Sequence, residues 1–455
     1  MVKCLICLKN YITSKAMKRH MREYHNPKNK CIYCSKYVIR IGQHLKYCKM
    51  KKLRKSLTLT ISDNNFINKR KKSQNSTKIN NKKIFDNIID DYNYTPIKNT
   101  DFIYFKDLQL GKGGWGSIFY GLNVKDKNKV AIKKYIKKVE DIDIDWECCL
   151  AKDLESVSLA PKLYYYNSDE KIFVQSLLGP NLEVLFNFCE RKFSTKTIAN
   201  IGIEIIDRLE SLHNIGFIHR DITPKNVVWL NFSDYQSIDK DNLILIDFGV
   251  SGAYITKDNK HIQFKENDGI YGTQYFSSIY SSKGNTQNRR DDIEALFYCL
   301  CYFFNGILPW DSSFLKKNEI KSKEMSPNLQ KNYTKNSFRN EVLRILKIKE
   351  SLNPSEMCNK MPSEFKIIFS YIKNLDFEEK PDYDSIKLLL RNIILKEEMK
   401  DPNQIIYKYT WEKKIKDLID SKKFIKSKIK IIKDKLFPGH PLDLKELLKM
   451  LKMKI

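Results

Sequence analysis

Four glycines fall within the eight residues Gly111-Lys112-Gly113-Gly114-Trp115-Gly116-Ser117-Ile118, which follow a β-like run ending at Leu110 and precede another. Glycine backbone can close over phosphate oxygens where side chains would collide, although the same pattern suits a plain glycine hairpin. Further on, Val130-Ala131-Ile132-Lys133 is an apolar strand with one inward lysine. A buried lysine needs an anionic partner, and phosphate together with a helix glutamate would supply it. Glu147 is the candidate glutamate. Two more clusters follow in order. His219-Arg220-Asp221 has Asn226 five residues past the aspartate, and Asp247-Phe248-Gly249 comes after the apolar run Leu243-Ile244-Leu245-Ile246.

A second kind of chemistry is written near the N-terminus. Cys4, Cys7, His20 and His25 follow a C-x2-C-x12-H-x4-H spacing, which offers Zn2+ four ligands in a tetrahedron. Tyr11 and Met17 fall where a small ββα finger needs its apolar core. Cys31, Cys34, His44 and Cys48 form a second set with a shorter central gap, and Val38 and Ile41 serve as its local core. The expected first helix, 13–24, carries Lys15, Lys18, Arg19 and Arg22, which suit phosphate contacts. Nucleic-acid binding and protein docking both fit these fingers.

Charge divides the chain in the same way. Of 455 residues with a formal net charge of +28, residues 1–83 hold 23 Lys+Arg against 2 acids. Residues 396–455 hold 17 Lys against 9 acids, and the segment between carries 42 basic and 43 acidic residues. A near-neutral globular core thus sits between basic flanks, which are either solvated tails or surfaces drawn to a polyanion such as nucleic acid. Hydrophobic residues at 42% and aromatics at 12% exclude a wholly disordered chain. No apolar stretch is long enough to span a bilayer, and the N-terminus lacks a signal-peptide pattern. These features predict an intracellular, reducing setting, with cytoplasm and nucleus both open and a basic NKRKK run at 68–72 as a possible nuclear address.

Residues 1–48 are expected to form two zinc-finger-like modules, 49–100 a basic flexible linker, 101–395 the main domain and 396–455 a basic helical extension. Within the main domain, 130–133, 171–176 and 242–246 read as strands, and 195–213 and 291–304 as helices. Cys148, Cys149, Cys189, Cys299 and Cys301 sit in apolar helical contexts and are expected in the core. Asp443 is a candidate cap for a last helix with Leu444, Leu447, Leu448 and Leu451 on one face, for which packing back on the main domain is preferred over membrane contact.

Taken together, the glycine loop, the V-A-I-K lysine, the H-R-D…N loop and D-F-G resemble the protein-kinase signature set in order and spacing. The blocks Leu177-Leu178-Gly179-Pro180-Asn181-Leu182-Glu183 and NRRDDIEALFYCLCYFFNGILPW resemble the casein kinase 1 family of Ser/Thr kinases over about 102–394, with the vaccinia-related kinases a neighbouring branch. The resemblance implies an α+β, two-lobed fold, a small antiparallel β lobe joined to a mainly helical lobe, here preceded by two zinc-finger modules. It also implies transfer of the γ-phosphate of ATP to protein substrates, with Mg2+. Asp221 would meet the substrate hydroxyl, and Asn226 and Asp247 would hold Mg2+. Lys133, fixed by Glu147, would contact the phosphates. Leu110 through Ile118 and Leu178 would enclose the nucleotide, with Gln175 at the gatekeeper position and adenine met by the backbone of 176–178. Asp292 would anchor the catalytic loop.

Departures from the family pattern are specific. Thr223 stands where a lysine that steadies the γ-phosphate is expected, and Lys225 is the nearby cation. Asp268 and Tyr275 replace the basic residues that would take a priming phosphate, and no A-P-E triplet closes the segment running through Gly272-Thr273 and Ser277-Ser278-Ile279. A nucleotide-binding pseudokinase acting through its fingers is the rival reading.

Overall fold

The computed structural model describes residues 2–3, 10–11, 93–112, 116–136, 144–230, 243–256, 258–311, 333–400 and 407–420. The chain divides into two compact units, Met1–Asp91 with Ile255–Lys260, and Tyr92–Tyr254 with His261–Ile455. In the first unit, Val2–Lys3 pairs antiparallel with Asn10–Tyr11. The eight expected zinc ligands, Gly113 to Trp115 of the glycine loop, and the helix expected after Asp443 lie outside the described residues.

The second unit begins with a six-stranded antiparallel sheet. In chain order its strands are β1 (Tyr94–Pro96), β2 (Phe102–Lys112), β3 (Gly116–Asn123), β4 (Lys129–Tyr135), β5 (Leu163–Asn167) and β6 (Ile172–Ser176), arranged β1-β2-β3-β4-β6-β5. Helix α1 (Ile144–Ser156) lies between β4 and β5 in sequence. Side chains alternate across a strand, and β4 uses both faces. Val130 and Ile132 are fully buried and join Phe102, Tyr104, Ile172 and Val174 in one apolar layer. The opposite face turns Tyr135 and Phe173 toward α1, where they pack with Ile144, Cys148 and Ala151. Lys133 shares that face, opposite Phe173 in register.

The helical part is built on two long helices. Helices α2 (Leu182–Phe188) and α3 (Thr195–Asn214) begin at side-chain caps from Asn181 and Ser194. After them come short strands β7 (Phe217–Ile218), β8 (Val227–Trp229), β9 (Leu243–Leu245) and β10 (Gly252–Ala253), with β8 pairing β9 and β7 pairing β10. A four-residue helix α4 (Ile279–Ser282) precedes α5 (Arg289–Asn305). Helix α5 opens with a reciprocal capping box between Asn288 and Asp291 and stops at Gly306, whose φ of +81° suits glycine. Every residue from Arg289 to Phe303 is buried. A helix buried all round is the centre of its layer, and the polar residues of its first turns must all find partners inside the protein. Helices α6 (Tyr333–Ser351), α7 (Pro354–Met357), α8 (Ser363–Lys373), α9 (Tyr383–Lys400) and α10 (Thr410–Asp420) complete the unit.

Two expectations are corrected. The packed core does not stop near residue 395. Trp411 is fully buried, stacked on Tyr409 at 4.2 Å between ring centroids, tilted against Phe193 and edge-on to Trp229. The Thr410 amide donates to Thr197 Oγ1 (2.8 Å), and Thr410 Oγ1 accepts from the Ser194 amide (2.9 Å), so α10 is pinned to the start of α3. High lysine content hid this apolar anchor. Cys149, expected in the core, is exposed, while Cys148, Cys189, Cys299 and Cys301 are buried. One residue along a helix turns the side chain by about 100°, so Cys148 and Cys149 cannot both face the sheet. Among the described residues, no helix is long and apolar enough to cross a membrane.

Replacing Trp411 with alanine removes an anchor shared by Phe193, Trp229 and Tyr409, and should lower unfolding free energy by about 3–5 kcal/mol. Urea titration of the variant and its parent measures this. A loss below roughly 1 kcal/mol would mean that α10 is peripheral to the core.

Candidate active site

Lys133 is the electrostatic centre of the site. Its Nζ lies 3.0 Å from Glu147 Oε1 and 2.7 Å from Asp247 Oδ1, and 4.7 Å from the centroid of the Tyr135 ring. Burial disfavours the ammonium, but the charges of Asp247 and Glu147 outweigh it and hold the Lys133 pKa well above its ordinary value. The cation is therefore permanent. Glu147, on the first turn of α1, is 3% exposed, and its second oxygen accepts a hydrogen bond of 2.5 Å from the Tyr135 hydroxyl. Tyr135 was not among the expected site residues. Its position two residues past Lys133 on a strand was the available signal, because such residues share a face.

Asp247 lies just past β9, with φ of +67°. A non-glycine residue in this region costs on the order of 1–3 kcal/mol, and here the turn carries the carboxylate to Lys133. Burial alone would raise its pKa, but Lys133 overrides this and the carboxyl is held below the usual range. Its side chain keeps 38% of its surface exposed. Phe248 turns inward and packs against the His219 ring at 5.1 Å.

Asp221 and Asn226 are joined directly. Asn226 Nδ2 donates to Asp221 Oδ2 and to its backbone oxygen, both at 2.9 Å. The other carboxylate oxygen of Asp221 accepts the Thr273 amide at 2.8 Å. Gly272, at φ +77°, lets the chain pass this close, since a Cβ there would lie 2.2 Å from the Arg220 carbonyl oxygen. Thr223 is buried, whereas Lys225 is exposed.

The loop bearing Asp221 hangs on Asp292, near the start of α5. Asp292 is 2% exposed. Its carboxylate accepts the amides of His219 (2.7 Å) and Arg220 (2.8 Å), and Oδ2 is also 3.0 Å from His213 Nε2. Burial would raise the Asp292 pKa, but the His213 hydrogen bond and charge bring it below its ordinary value. Burial pushes the His213 pKa down despite Asp292, which favours neutral imidazole. With its proton on Nε2, His213 donates to Asp292 and accepts from the Tyr383 hydroxyl at 2.7 Å. Nothing in the sequence singled out His213 or Tyr383.

Around this centre, Gly111 faces Ile118 and Lys112 faces Ser117 as the two arms of the β2–β3 hairpin. Gly116 passes so close to β4 that a Cβ would lie 2.2 Å from the Lys134 carbonyl oxygen. Leu178 packs with Val228, Leu230 and Ile244. Gln175 pairs with Ala131 across β4 and β6, and the Ser176 amide is bonded to the Lys162 carbonyl. Tyr275 is tied inward, donating to Asp311 Oδ2 (2.9 Å) and accepting the Leu308 amide (3.1 Å). Among the described residues, no group of three or more His, Cys, Asp or Glu is placed to share a metal ion.

Compared with models of known protein families, residues 104–421 match the one described as protein kinase domain, which is more than half of the chain.

Changing Asp292 to alanine strands two backbone N–H groups and the His213 donor in a dry interior. Unmet buried groups cost about 1–3 kcal/mol each, and removing one member of a buried charged network about 3–5 kcal/mol. Denaturant unfolding of Asp292→Ala should show a loss of roughly that size. Wild-type stability would mean that the loop is held by other contacts.

Proposed function

The chain belongs to the protein kinase family, and on that premise we propose that it transfers the γ-phosphate of ATP to serine and threonine hydroxyls of protein substrates. One observation carries the reading: Lys133 Nζ lies within 3.0 Å of both Glu147 and Asp247, the arrangement that fixes a permanent cation beside a carboxylate able to bind metal. The blocks resembling casein kinase 1 support the Ser/Thr assignment and the subfamily.

Phosphoryl transfer depends on positioning and charge neutralisation more than on covalent chemistry of the protein. The residues fit Mg2+, a hard cation that takes oxygen ligands. Asn226 spends its amide N–H groups on Asp221, which leaves its side-chain carbonyl oxygen as the atom that would meet a cation, and the Asp247 carboxylate is partly exposed. When bound there, Mg2+ supplies charge that offsets the negative phosphates. Lys133 contacts the phosphates on the other side while Glu147 keeps its ammonium in place. Leu110, Gly111, Lys112, Gly116, Ser117, Ile118 and Leu178 enclose the nucleotide, with Gly113, Gly114 and Trp115 in the intervening loop. Asp221 orients the substrate hydroxyl and takes its proton on a carboxylate oxygen, with the Thr273 amide and the Asn226 side chain fixing its plane. The pseudokinase alternative is not favoured, because Lys133, Asp221, Asn226 and Asp247 are all present and partnered, and Thr223 is the one departure that pulls the other way. Residues 1–48 we read as two zinc modules, Cys4, Cys7, His20, His25 and Cys31, Cys34, His44, Cys48, that direct the kinase to nucleic acid or protein.

Radiolabelled ATP with casein as acceptor tests the enzyme. Asp221→Asn should lose about 10²–10⁴-fold in kcat, the size of a general-base effect, while nucleotide affinity is retained. Asp247→Ala should instead lose Mg2+-dependent nucleotide binding. Undiminished transfer by Asp221→Asn would sink the assignment.

The basic N-terminal region is tested separately by truncation after residue 91, which spares the paired strand β1. Full-length protein should bind DNA or RNA with an affinity that falls steeply between low and moderate salt, and the truncated protein should not. Zinc chelation should abolish the binding, because metal supplies the folding energy of such modules. Absence of salt-dependent binding in the full-length protein would leave protein docking as the role.

A further inference from the structure

Lys349, near the end of α6, is 1% exposed, yet it forms no ion pair among the described residues. Its Nζ donates to the carbonyl oxygens of Gln274 (3.0 Å) and Ser277 (2.6 Å). The ammonium lies 4.8 Å from the Trp310 ring centroid and 5.1 Å from that of Tyr298, so aromatic faces line its remaining surroundings. Trp310 adds a third tie to the same segment, its Nε1–H donating to the Tyr275 carbonyl at 2.8 Å. Three carbonyls in four consecutive residues are therefore held from the helical side.

The held segment ends at the site. Thr273, next to Gln274, is the residue whose amide donates to Asp221 Oδ1 at 2.8 Å. The amides of Phe276 and Ser277 both turn back to the Thr273 carbonyl at 3.0 Å, closing one tight turn between the anchor and the aspartate. Displacing the carbonyls of 274 and 277 must move the amide of 273.

A lysine is a poor choice for filling space here. Burial pushes its pKa down to about 7, with the Glu294 carboxylate opposing. Glu294 is itself committed elsewhere, accepting from the Tyr298 hydroxyl (2.6 Å) and the Ile279 amide (3.0 Å). Methionine has similar length and would fill the slot between the rings without a desolvation cost. What methionine lacks is the pair of donors for the backbone of 274–277. No A-P-E triplet is present to fasten this segment by its own side chains.

We infer that Lys349 is a positioning residue for phosphotransfer: by holding the carbonyls of Gln274 and Ser277 it sets where the Thr273 amide meets the Asp221 carboxylate. The inference rests on the reading of Asp221 as the group that receives the substrate proton. It adds a control point on α6, remote in sequence from every motif of the site.

The test compares Lys349→Met, Lys349→Arg and Trp310→Phe with the parent protein. Four quantities are read: kcat, KM for a peptide acceptor, nucleotide affinity by equilibrium dialysis, and the urea midpoint. Misplacement by about 1 Å can cost on the order of 100-fold in rate, so Lys349→Met should lose 10- to 100-fold in kcat. Its nucleotide affinity should stay within about twofold, because the lost groups do not touch nucleotide, and its urea midpoint should move little, because relief of the buried ammonium's desolvation offsets the two carbonyls left without a donor. Lys349→Arg should recover part of the rate. Trp310→Phe, which keeps a ring but loses the donor to Tyr275, should show the same pattern more weakly, and it carries the test alone if Lys349→Met does not fold. Wild-type kcat in Lys349→Met overturns the inference, as does a parallel loss of rate, nucleotide affinity and stability, which would mark a structural role only. Asp221→Asn run alongside separates the two readings. If it is inactive while Lys349→Met is normal, only the role of Lys349 falls; if it is fully active, the assignment of Asp221 falls first.

Discussion

The carboxylate of Asp292 is the constraint on which the site depends. It is a buried anion that forms no ion pair with a lysine or arginine among the described residues, and three hydrogen bonds from His213, His219 and Arg220 satisfy it. Two of those donors are consecutive backbone amides, so a single carboxylate fixes two successive peptide units. Arg220, with φ of +68°, is held there in a left-handed conformation that a non-glycine residue seldom adopts. Asp221 follows immediately. The direction in which its side chain leaves the backbone is thus decided inside the helical core, by the N-terminal turn of α5. A charged group is used where a neutral one would pack more cheaply, because only an anion accepts three donors this tightly.

The second determinant is the division of labour between two acids around one lysine. Glu147 is buried and also receives the Tyr135 hydroxyl, so its position is overdetermined. Asp247 is partly open and approaches Lys133 from the opposite layer. The sheet and the helical part therefore meet through one cation shared by a fixed carboxylate and an accessible one. Because both neighbours are acids, Lys133 keeps its charge in spite of burial, and the local field is set before any anionic ligand arrives.

Much of this was legible in the sequence because the site is made of short motifs with fixed local geometry. The alternation in 130–133 implied a strand with Lys133 on one face, and the apolar run before Asp247 implied a strand ending at the site. The helices expected at 195–213 and 291–304 lie at Thr195–Asn214 and Arg289–Asn305. The residues that escaped notice act across long sequence separations or through backbone atoms. Thr273 contributes an amide, which no side-chain pattern can reveal. His213 and Tyr383 are 170 residues apart and meet only because α3 and α9 pack together. The extent of the core was misjudged for a related reason. Residues 407–420 read as basic extension, and two aromatics separated by one residue, Tyr409 and Trp411, carry the burial that lysines conceal. Cys149 failed because composition alone does not say which side of α1 meets the sheet.

The anchoring of α10 on α3 bears on how the protein is made. Thr197 and Thr410 are 213 positions apart, yet each completes the hydrogen bonding of the other. Synthesis proceeds from the N-terminus at about 5–20 residues per second, so α3 exists for roughly 10–40 seconds before its partner is added. Over that interval Phe193 and Trp229 lack the ring that covers them, and the nascent helical layer presents an aromatic face to the cell. The last tryptophan of the described chain is therefore a closing piece, and the ribosome delivers it after every residue of the candidate site has already been added.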